Sequence, residues 1–195
     1  MTISSIYHFA VETLALVPRT HWLVMGILSL AVAALSLIKK KTSVYGAIAL
    51  GITAFISLLF LEMAVVVRYC GLVIYNLGVD FKLDLLRVLR CDKLGYETLY
   101  NIFLFVPYGF FFSEYLTETG QLGAWRKVGY ATLAALALSM FIECLQLVFR
   151  VGLFEMTDLV MNVLGGFAGA MLAFLMRKLL NLCRKNNNDE LRRTV

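Results

Sequence analysis

Long apolar runs alternate with short polar stretches along this chain. A membrane-spanning helix needs about 20 predominantly apolar residues, and five of the runs approach or exceed that length. They cover residues 21–38, 44–67, 98–116, 129–149 and 157–176. The pattern predicts an all-α, polytopic integral membrane helical bundle with about five transmembrane helices.

Two further segments are apolar in part and predict interfacial amphipathic helices. Residues 3–17 are apolar but short and interrupted by polar side chains, so we interpret them as an interfacial helix, with a sixth span as the alternative. In "VDFKLDLLRVLR", Phe81, Leu85 and Leu89 lie near one helical face while charged side chains occupy the other. This spacing favours an amphipathic helix at the outer interface, and a surface loop with a helical turn is the alternative.

The composition supports one membrane domain, since 61% of the residues are hydrophobic and only 16% are charged. Soluble domains average about 45–50% apolar and about 25% charged residues. The chain divides into an N-terminal interfacial segment (1–20), two spans (21–67), an outer amphipathic segment (68–97), a core of three spans (98–178) and a polar tail (179–195).

Basic residues flank the apolar runs and predict the orientation of the chain. With the N-terminus outside, eleven Lys and Arg residues fall on the cytoplasmic side and seven on the outside. Cytoplasmic loops carry the excess of Lys and Arg, which favours an outer N-terminus and a cytoplasmic C-terminus. The formal charge of +5 therefore indicates membrane-flanking residues, and no nucleic-acid partner is predicted.

The four cysteines show no spacing typical of a metal site, and we predict neither a metal nor a cofactor. Cys70 and Cys91 fall on the same predicted side, which leaves a disulfide between them open. Cys144 lies in a span and Cys183 in the tail.

Polar residues recur at helical spacing inside the last two apolar runs. Glu143, Gln146 and Arg150 form one stripe on the fourth span, and Asp158 and Asn162 form another on the fifth. Ionisable groups in hydrocarbon cost about 2.5–3.5 kcal/mol or more, so they usually face the bundle interior. Facing stripes on adjacent helices predict a polar site shielded from lipid. Purely structural hydrogen bonding between helices is the alternative.

The predicted topology places these groups in one layer near the outer leaflet. Asn101, Glu62 and Arg68 fall at the same level, Glu155 is expected in water, and the inner half is expected to be almost wholly apolar. Glu143 and Arg150 are two turns apart and form a candidate ion pair.

Small residues and a proline mark candidate sites of close packing. Gly165 and Gly169 form a small-xxx-small pair, and Gly166 begins another. Pro107, followed by Gly109, predicts a kink in the third span.

Three motifs give the chain its resemblance to a known family. These are "NIFLFVPYGF" at 101–110, "FIECLQLVFR" at 141–150 and "EMTDLVMNVLGGFAG" at 155–169. In this order and spacing they resemble the VanZ-like family, named for a protein associated with teicoplanin resistance. The positions that match the family pattern are Asn101, Pro107, Gly109, Glu143, Gln146, Asp158, Asn162, Gly165 and Gly166.

The resemblance implies a multi-pass protein of the bacterial cell membrane that lowers susceptibility to teicoplanin-type lipoglycopeptides without catalysis. Its implied partners are membrane lipids and a lipoglycopeptide or cell-wall lipid intermediate; no oligomeric state is specified. Two alternatives stay open. One is an intramembrane enzyme with Glu143 and Asp158 as acid and base. The other is a small lipid transporter, disfavoured by the one-sided polar layer.

Overall fold

Five long helices make up most of the part of the chain that the structure describes. The computed structural model describes residues 11–12, 14–39, 41–66, 78–89, 93–120 and 122–193. In chain order the elements are α1 (Arg19–Ile38), α2 (Val44–Leu61), a π-helical turn (Glu62–Val66), β1 (Val79–Asp80), a 3-10 helix (Leu85–Leu89), α3 (Lys93–Glu118), α4 (Ala124–Val148), β2 (Phe154–Glu155) and α5 (Met156–Arg193). The predicted all-α helical bundle is confirmed.

Within the described residues, four helical stretches are long and apolar enough to cross a membrane. They are Arg19–Ile38, Val44–Val65, Ala124–Val148 and Met156–Lys185. The predicted span at 98–116 lies in α3, whose 26 residues extend about 39 Å at 1.5 Å per residue. α3 is thus long enough to cross a membrane, but it is not among the helices that are also apolar enough. Because α3 packs against α2, α4 and α5, its polar side chains need not face lipid.

Glycines bring the backbones of α3 and α5 into direct contact. A Cβ atom added to Gly169 would overlap the carbonyl oxygen of Val106, and one added to Gly109 would overlap that of Gly166. A Cβ atom on Gly165 would likewise overlap a backbone carbonyl of α3. Such close approach, typical of small residues at helix interfaces in membranes, fixes α5 against α3 within the chain.

Aromatic side chains fill the interior on the other side of α3. Phe105 stacks on Phe60 of α2 with ring centroids 4.5 Å apart, and both are buried. Pro107 lies inside α3, where it removes one helical N–H donor. α3 is the central helix, because it packs against this aromatic core on one side and against α5 on the other.

The helix directions define two ends of the bundle. The Glu143 end contains the starts of α1, α3 and α5 and the ends of α2 and α4. The Glu114 end contains the ends of α1 and α3, the starts of α2 and α4, and the part of α5 near Arg177.

Residues 78–89 cover the Glu143 end without forming the predicted amphipathic helix. Val79 and Asp80 pair in parallel with Phe154 and Glu155 instead. The Thr157 hydroxyl accepts the backbone N–H of Asp84 at 3.0 Å and donates to the Lys82 carbonyl at 3.1 Å. Within this segment only Leu85–Leu89 are helical, in the 3-10 helix, because strand pairing extends the backbone of Val79 and Asp80. This arrangement matches the alternative prediction, a surface loop with a helical turn.

Several predictions fall outside the described residues. These concern Arg68, Cys70, Cys91 and most of segment 3–17. Cys144 and Cys183 are free and exposed.

Candidate functional site

Glu143 fastens the end of α4 to the start of the next helix. Its side chain is only 3% exposed, and Oε2 accepts the backbone N–H of Glu155 at 3.0 Å. Glu155 belongs to β2, the short strand that precedes α5. A buried carboxylate needs hydrogen-bond partners to offset the loss of water. The backbone N–H of Glu155, in the α4–α5 turn, is one such partner.

Gln146 and Glu62 connect α4 and α2 to their neighbours at the same end. Gln146, which is buried, donates from Nε2 to the carbonyl oxygen of Ala64 at 3.2 Å. Ala64 lies in the π-helical turn that ends α2. Glu62, in the same turn, lies 2.6 Å from His21 Nδ1 at the start of α1. The π-helical turn is thus bonded to α4 through Ala64 and to α1 through Glu62.

Asn162 meets α4 one helical turn deeper than Asp158. Its Nδ2 donates to the Ser139 hydroxyl at 2.9 Å, and both residues are buried. Asn162 Oδ1 is also buried, and it accepts no hydrogen bond from any described residue. Buried acceptors are rarely left without a donor, so Oδ1 has spare hydrogen-bonding capacity. The buried Nε atom of Arg87 likewise has no hydrogen-bond partner among the described residues.

Arg87, from the 3-10 helix, joins two carboxylates of the α5 start. It forms an ion pair with Glu155, and its Nη1 lies 3.8 Å from Asp158 Oδ1. Burial tends to lower the pKa of Arg87, but the hydrogen bond and charge of Glu155, with the charges of Asp158 and Asp84, outweigh burial and raise it. Arg87 therefore stays cationic. Glu155 was expected in water, but its side chain is partly buried and forms this ion pair.

Arg150 ends α4 and does not lie beside Glu143. Its φ of 57° is left-handed, and the Val151 N–H bonds to the Gln146 carbonyl at 2.9 Å while the Arg150 N–H bonds to the Leu147 carbonyl at 3.3 Å. This is a Schellman cap, in which glycine is the usual left-handed residue. Since α4 ends at Val148, helical spacing does not extend to Arg150, which is exposed.

Asn101 lies half-buried on α3, beside Ile102. The carbonyl of Ile102 faces Gly165 of α5, one turn beyond Asn162. Arg87 thus joins Glu155 and Asp158, and the Glu155 backbone bonds to Glu143. Gln146 and Asn162 lie at the same end of the bundle but bond to Ala64 and Ser139. Asn101 lies on the adjacent α3, and Arg150 lies at the surface. We define the Glu143 cluster by the residues Arg87, Glu143, Gln146, Glu155, Asp158 and Asn162.

A second buried charge cluster lies at the Glu114 end, where the sequence predicted an apolar inner half. Glu114 is 1% exposed, and its carboxylate takes hydrogen bonds from Arg177 Nε at 2.9 and 3.0 Å and Nη2 at 2.6 Å. The Tyr45 hydroxyl adds a fourth at 2.8 Å. Glu118 accepts from Arg177 at 2.8 Å and from Ser43 at 2.5 Å. The expectation of a single polar layer is wrong.

The sequence contained a signal for this second cluster. Glu114 falls inside the third predicted span and Arg177 directly follows the fifth, so each was a charge at the edge of hydrocarbon. Such charges usually pair with one another. We call Ser43, Tyr45, Glu114, Glu118 and Arg177 the Glu114 cluster. Among the described side chains, no group of three or more His, Cys, Asp or Glu is placed to hold a metal ion.

Comparison with known proteins places the chain in a family. Residues 59–177 match the family model described as VanZ/LLP1. Protein VanZ of Enterococcus faecium is 32% identical over 85 residues, which cover 44% of this chain and 48% of that protein. The chain thus matches about half the length of this relative. No solved structure matches. Because the family model spans more than half of the chain, the chain belongs to the VanZ/LLP1 family.

Proposed function

We propose that this member of the VanZ/LLP1 family lowers bacterial susceptibility to teicoplanin-type lipoglycopeptides by non-enzymatic action at the outer leaflet. The site of this action is the Glu143 cluster, with Asn101 beside it on α3. In this proposal the Glu143 end faces outward and the C-terminus is cytoplasmic, the orientation that the distribution of Lys and Arg favours.

The observation that carries the proposal is the burial of several polar groups at one end of a membrane bundle. Glu143, Gln146 and Asn162 are each no more than 5% exposed. All three lie within residues 59–177, the region that matches the family model. Because uncharged side chains would suffice for helix packing in a membrane, a buried carboxylate there favours a functional role.

The surroundings of the cluster suit a ligand with a polar part and an acyl chain. The acceptor Asn162 Oδ1 has spare capacity for a hydroxyl, amide or ammonium donor. Segment 78–89, held to the cluster by Arg87, exposes the apolar side chains of Phe81, Leu86 and Leu89, each at least 71% exposed. Exposed apolar side chains at a membrane interface can contact lipid tails. Teicoplanin carries both parts, and a cell-wall lipid intermediate is the second ligand of this class.

A lipid transporter is the second candidate function, and the Glu114 cluster is the observation that favours it. Transport needs polar groups at more than one depth, and buried charges at both ends of the bundle meet part of that need. An acid/base enzyme has less support, because Glu143 bonds to the Glu155 backbone and Asp158 pairs with Arg87.

Expression of the protein in a teicoplanin-susceptible Gram-positive host tests the proposal. Vancomycin, which lacks the lipid tail, is the matched drug. We expect a rise in the inhibitory concentration of teicoplanin alone, relative to an empty vector. Equal inhibitory concentrations with verified membrane expression would contradict the proposal. Movement of a labelled lipid across proteoliposomes containing the purified protein would instead favour transport.

A further inference from the structure

A cavity of about 680 Å³ opens beside the Glu114 cluster, at the opposite end of the bundle from the proposed drug site. It lies between the start of α2, the end of α3, the start of α4 and the middle of α5. Its charged and aromatic lining consists of Tyr45, Glu114, Lys127, Phe174, Arg177 and Lys178.

The anionic groups beside the cavity already have partners. Glu114 accepts four hydrogen bonds, from Arg177 and Tyr45, and Glu118 accepts from Arg177 and Ser43. The hydrogen bonds from Ser43 and Arg177 lower the pKa of Glu118, and the charge of Lys127 adds to this effect. The acidic side chains are therefore occupied as acceptors.

The cations beside the cavity retain unused donors. Lys127 and Lys178 line it, and neither makes a hydrogen bond or an ion pair with any described side chain. Arg177 Nη1 likewise bonds to none of the described residues, while Nε and Nη2 are taken by carboxylates. Basic residues also outnumber acidic ones in the neighbouring helix ends, which include Lys39, Lys41 and Arg126.

Most of the remaining wall of the cavity is apolar, and the polar side chains of Ser113, Thr117 and Asn181 interrupt it. Ala173, Met176 and Leu180 line it, and Phe174 packs on Trp125 with ring centroids 5.1 Å apart. Trp125 is 66% exposed on the outside of the bundle, near the start of α4. Aromatic residues in this position are typical of the membrane interface. The cavity thus combines unpaired cations with an apolar wall at a level where headgroups lie.

We propose that this cavity binds the phosphate-bearing headgroup of an anionic phospholipid, with Lys127 and Lys178 contacting the phosphate and the apolar wall contacting the acyl chain. Basic pockets between membrane helices recognise anionic headgroups in this way. The site is separate from the Glu143 cluster and does not depend on the drug-related proposal. It also does not depend on which side of the membrane the Glu114 end faces.

Fluorescence of Trp125 gives a direct test. The chain has two tryptophans, Trp22 and Trp125, so Trp22→Phe leaves Trp125 as the reporter beside the cavity. The purified full chain is reconstituted in bilayers that contain brominated phosphatidylglycerol or brominated phosphatidylcholine, and quenching is compared. We expect a preference for phosphatidylglycerol that falls about fivefold per lysine removed in Lys127→Gln and Lys178→Gln, the effect of one cation near an anionic lipid surface.

Lys185→Gln is the matched control, because Lys185 is exposed on α5 and does not line the cavity. It should retain the preference. Equal quenching by both lipids in the parent, or an unchanged preference in both lysine variants, would overturn the proposal. Inorganic phosphate and chloride at equal ionic strength should weaken the preference equally. Selective displacement by inorganic phosphate would overturn the lipid assignment in favour of a soluble phosphate compound.

Discussion

The buried carboxylate of Glu143 accepts the backbone N–H of Glu155, 12 residues further along the chain, at 3.0 Å. The side chain of Glu155 is in turn held by Arg87. Glu155, in the α4–α5 turn, thus connects the end of α4 to segment 78–89, which covers the turn.

Two substitutions at Glu143 distinguish the contribution of its hydrogen bond to stability from the contribution of its charge. Glu143→Gln keeps an acceptor oxygen for the Glu155 N–H and should fold with little loss of stability. Glu143→Leu leaves that N–H without this acceptor, which costs about 1–3 kcal/mol. Thermal unfolding in detergent measures the difference. Equal midpoints for the two variants would contradict the role of this bond.

Arg87→Gln should release segment 78–89 from the start of α5. The variant loses the ion pairs with Glu155 and Asp158 but leaves the long helices intact. Hydrogen exchange measured by mass spectrometry should therefore rise in peptides covering residues 78–89. Lys82→Gln is the control, since the Lys82 side chain is exposed on the same segment. An unchanged exchange rate in Arg87→Gln would show that the pairing of β1 with β2 and the Thr157 hydrogen bonds hold the segment without the ion pairs.

Gly169→Ala should strongly destabilise the bundle. The added Cβ atom would overlap the Val106 carbonyl, and overpacking of a rigid contact costs about 1–3 kcal/mol or more. Gly129→Ala is the matched control, because no atom outside its own stretch of helix lies within 4 Å of the added Cβ there. That variant should unfold at the parent temperature or above it, since alanine favours helix over glycine. Similar unfolding temperatures for both would refute the close approach of α3 and α5.

The Glu114–Arg177 pair should behave as a unit. Arg177→Gln leaves Glu114 buried without its main partner, and breaking a buried pair in this way costs on the order of 3 kcal/mol. The double variant Glu114→Gln/Arg177→Gln should unfold at a higher temperature than Arg177→Gln, because the fully buried carboxylate of Glu114 is no longer present. A double-mutant cycle measures the coupling. Additive effects of the two substitutions would mean that the pair contributes no specific interaction.

The structural features that depend on local periodicity could be predicted from the sequence. Apolar runs located the long helices, and three- and four-residue spacing predicted that Glu143, Gln146 and Asn162 lie on interior faces, where all three are buried. α3 also contains Asn101 and Glu114, and its central position follows from packing that a hydropathy pattern does not encode.

Long-range pairing was the part that the sequence could not supply. Arg87 and Glu155 are 68 residues apart, and Glu114 and Arg177 are 63 apart. Nothing in the local pattern selects these partners. The prediction for Arg150 failed for a local reason. Helical spacing was extended past the end of α4 and placed Arg150 beside Glu143, whereas the left-handed cap places it at the surface.

The most direct test of the central claim is the teicoplanin susceptibility of a Gram-positive host expressing Glu143→Gln or Asp158→Asn at matched membrane levels. Cys144→Ser, which changes an exposed neighbour of Glu143, is the control variant, and vancomycin is the control drug. The account predicts that the parent and Cys144→Ser raise the inhibitory concentration of teicoplanin alone, and that Glu143→Gln and Asp158→Asn do not. Full protection by both folded carboxylate variants would contradict a functional role for the Glu143 cluster.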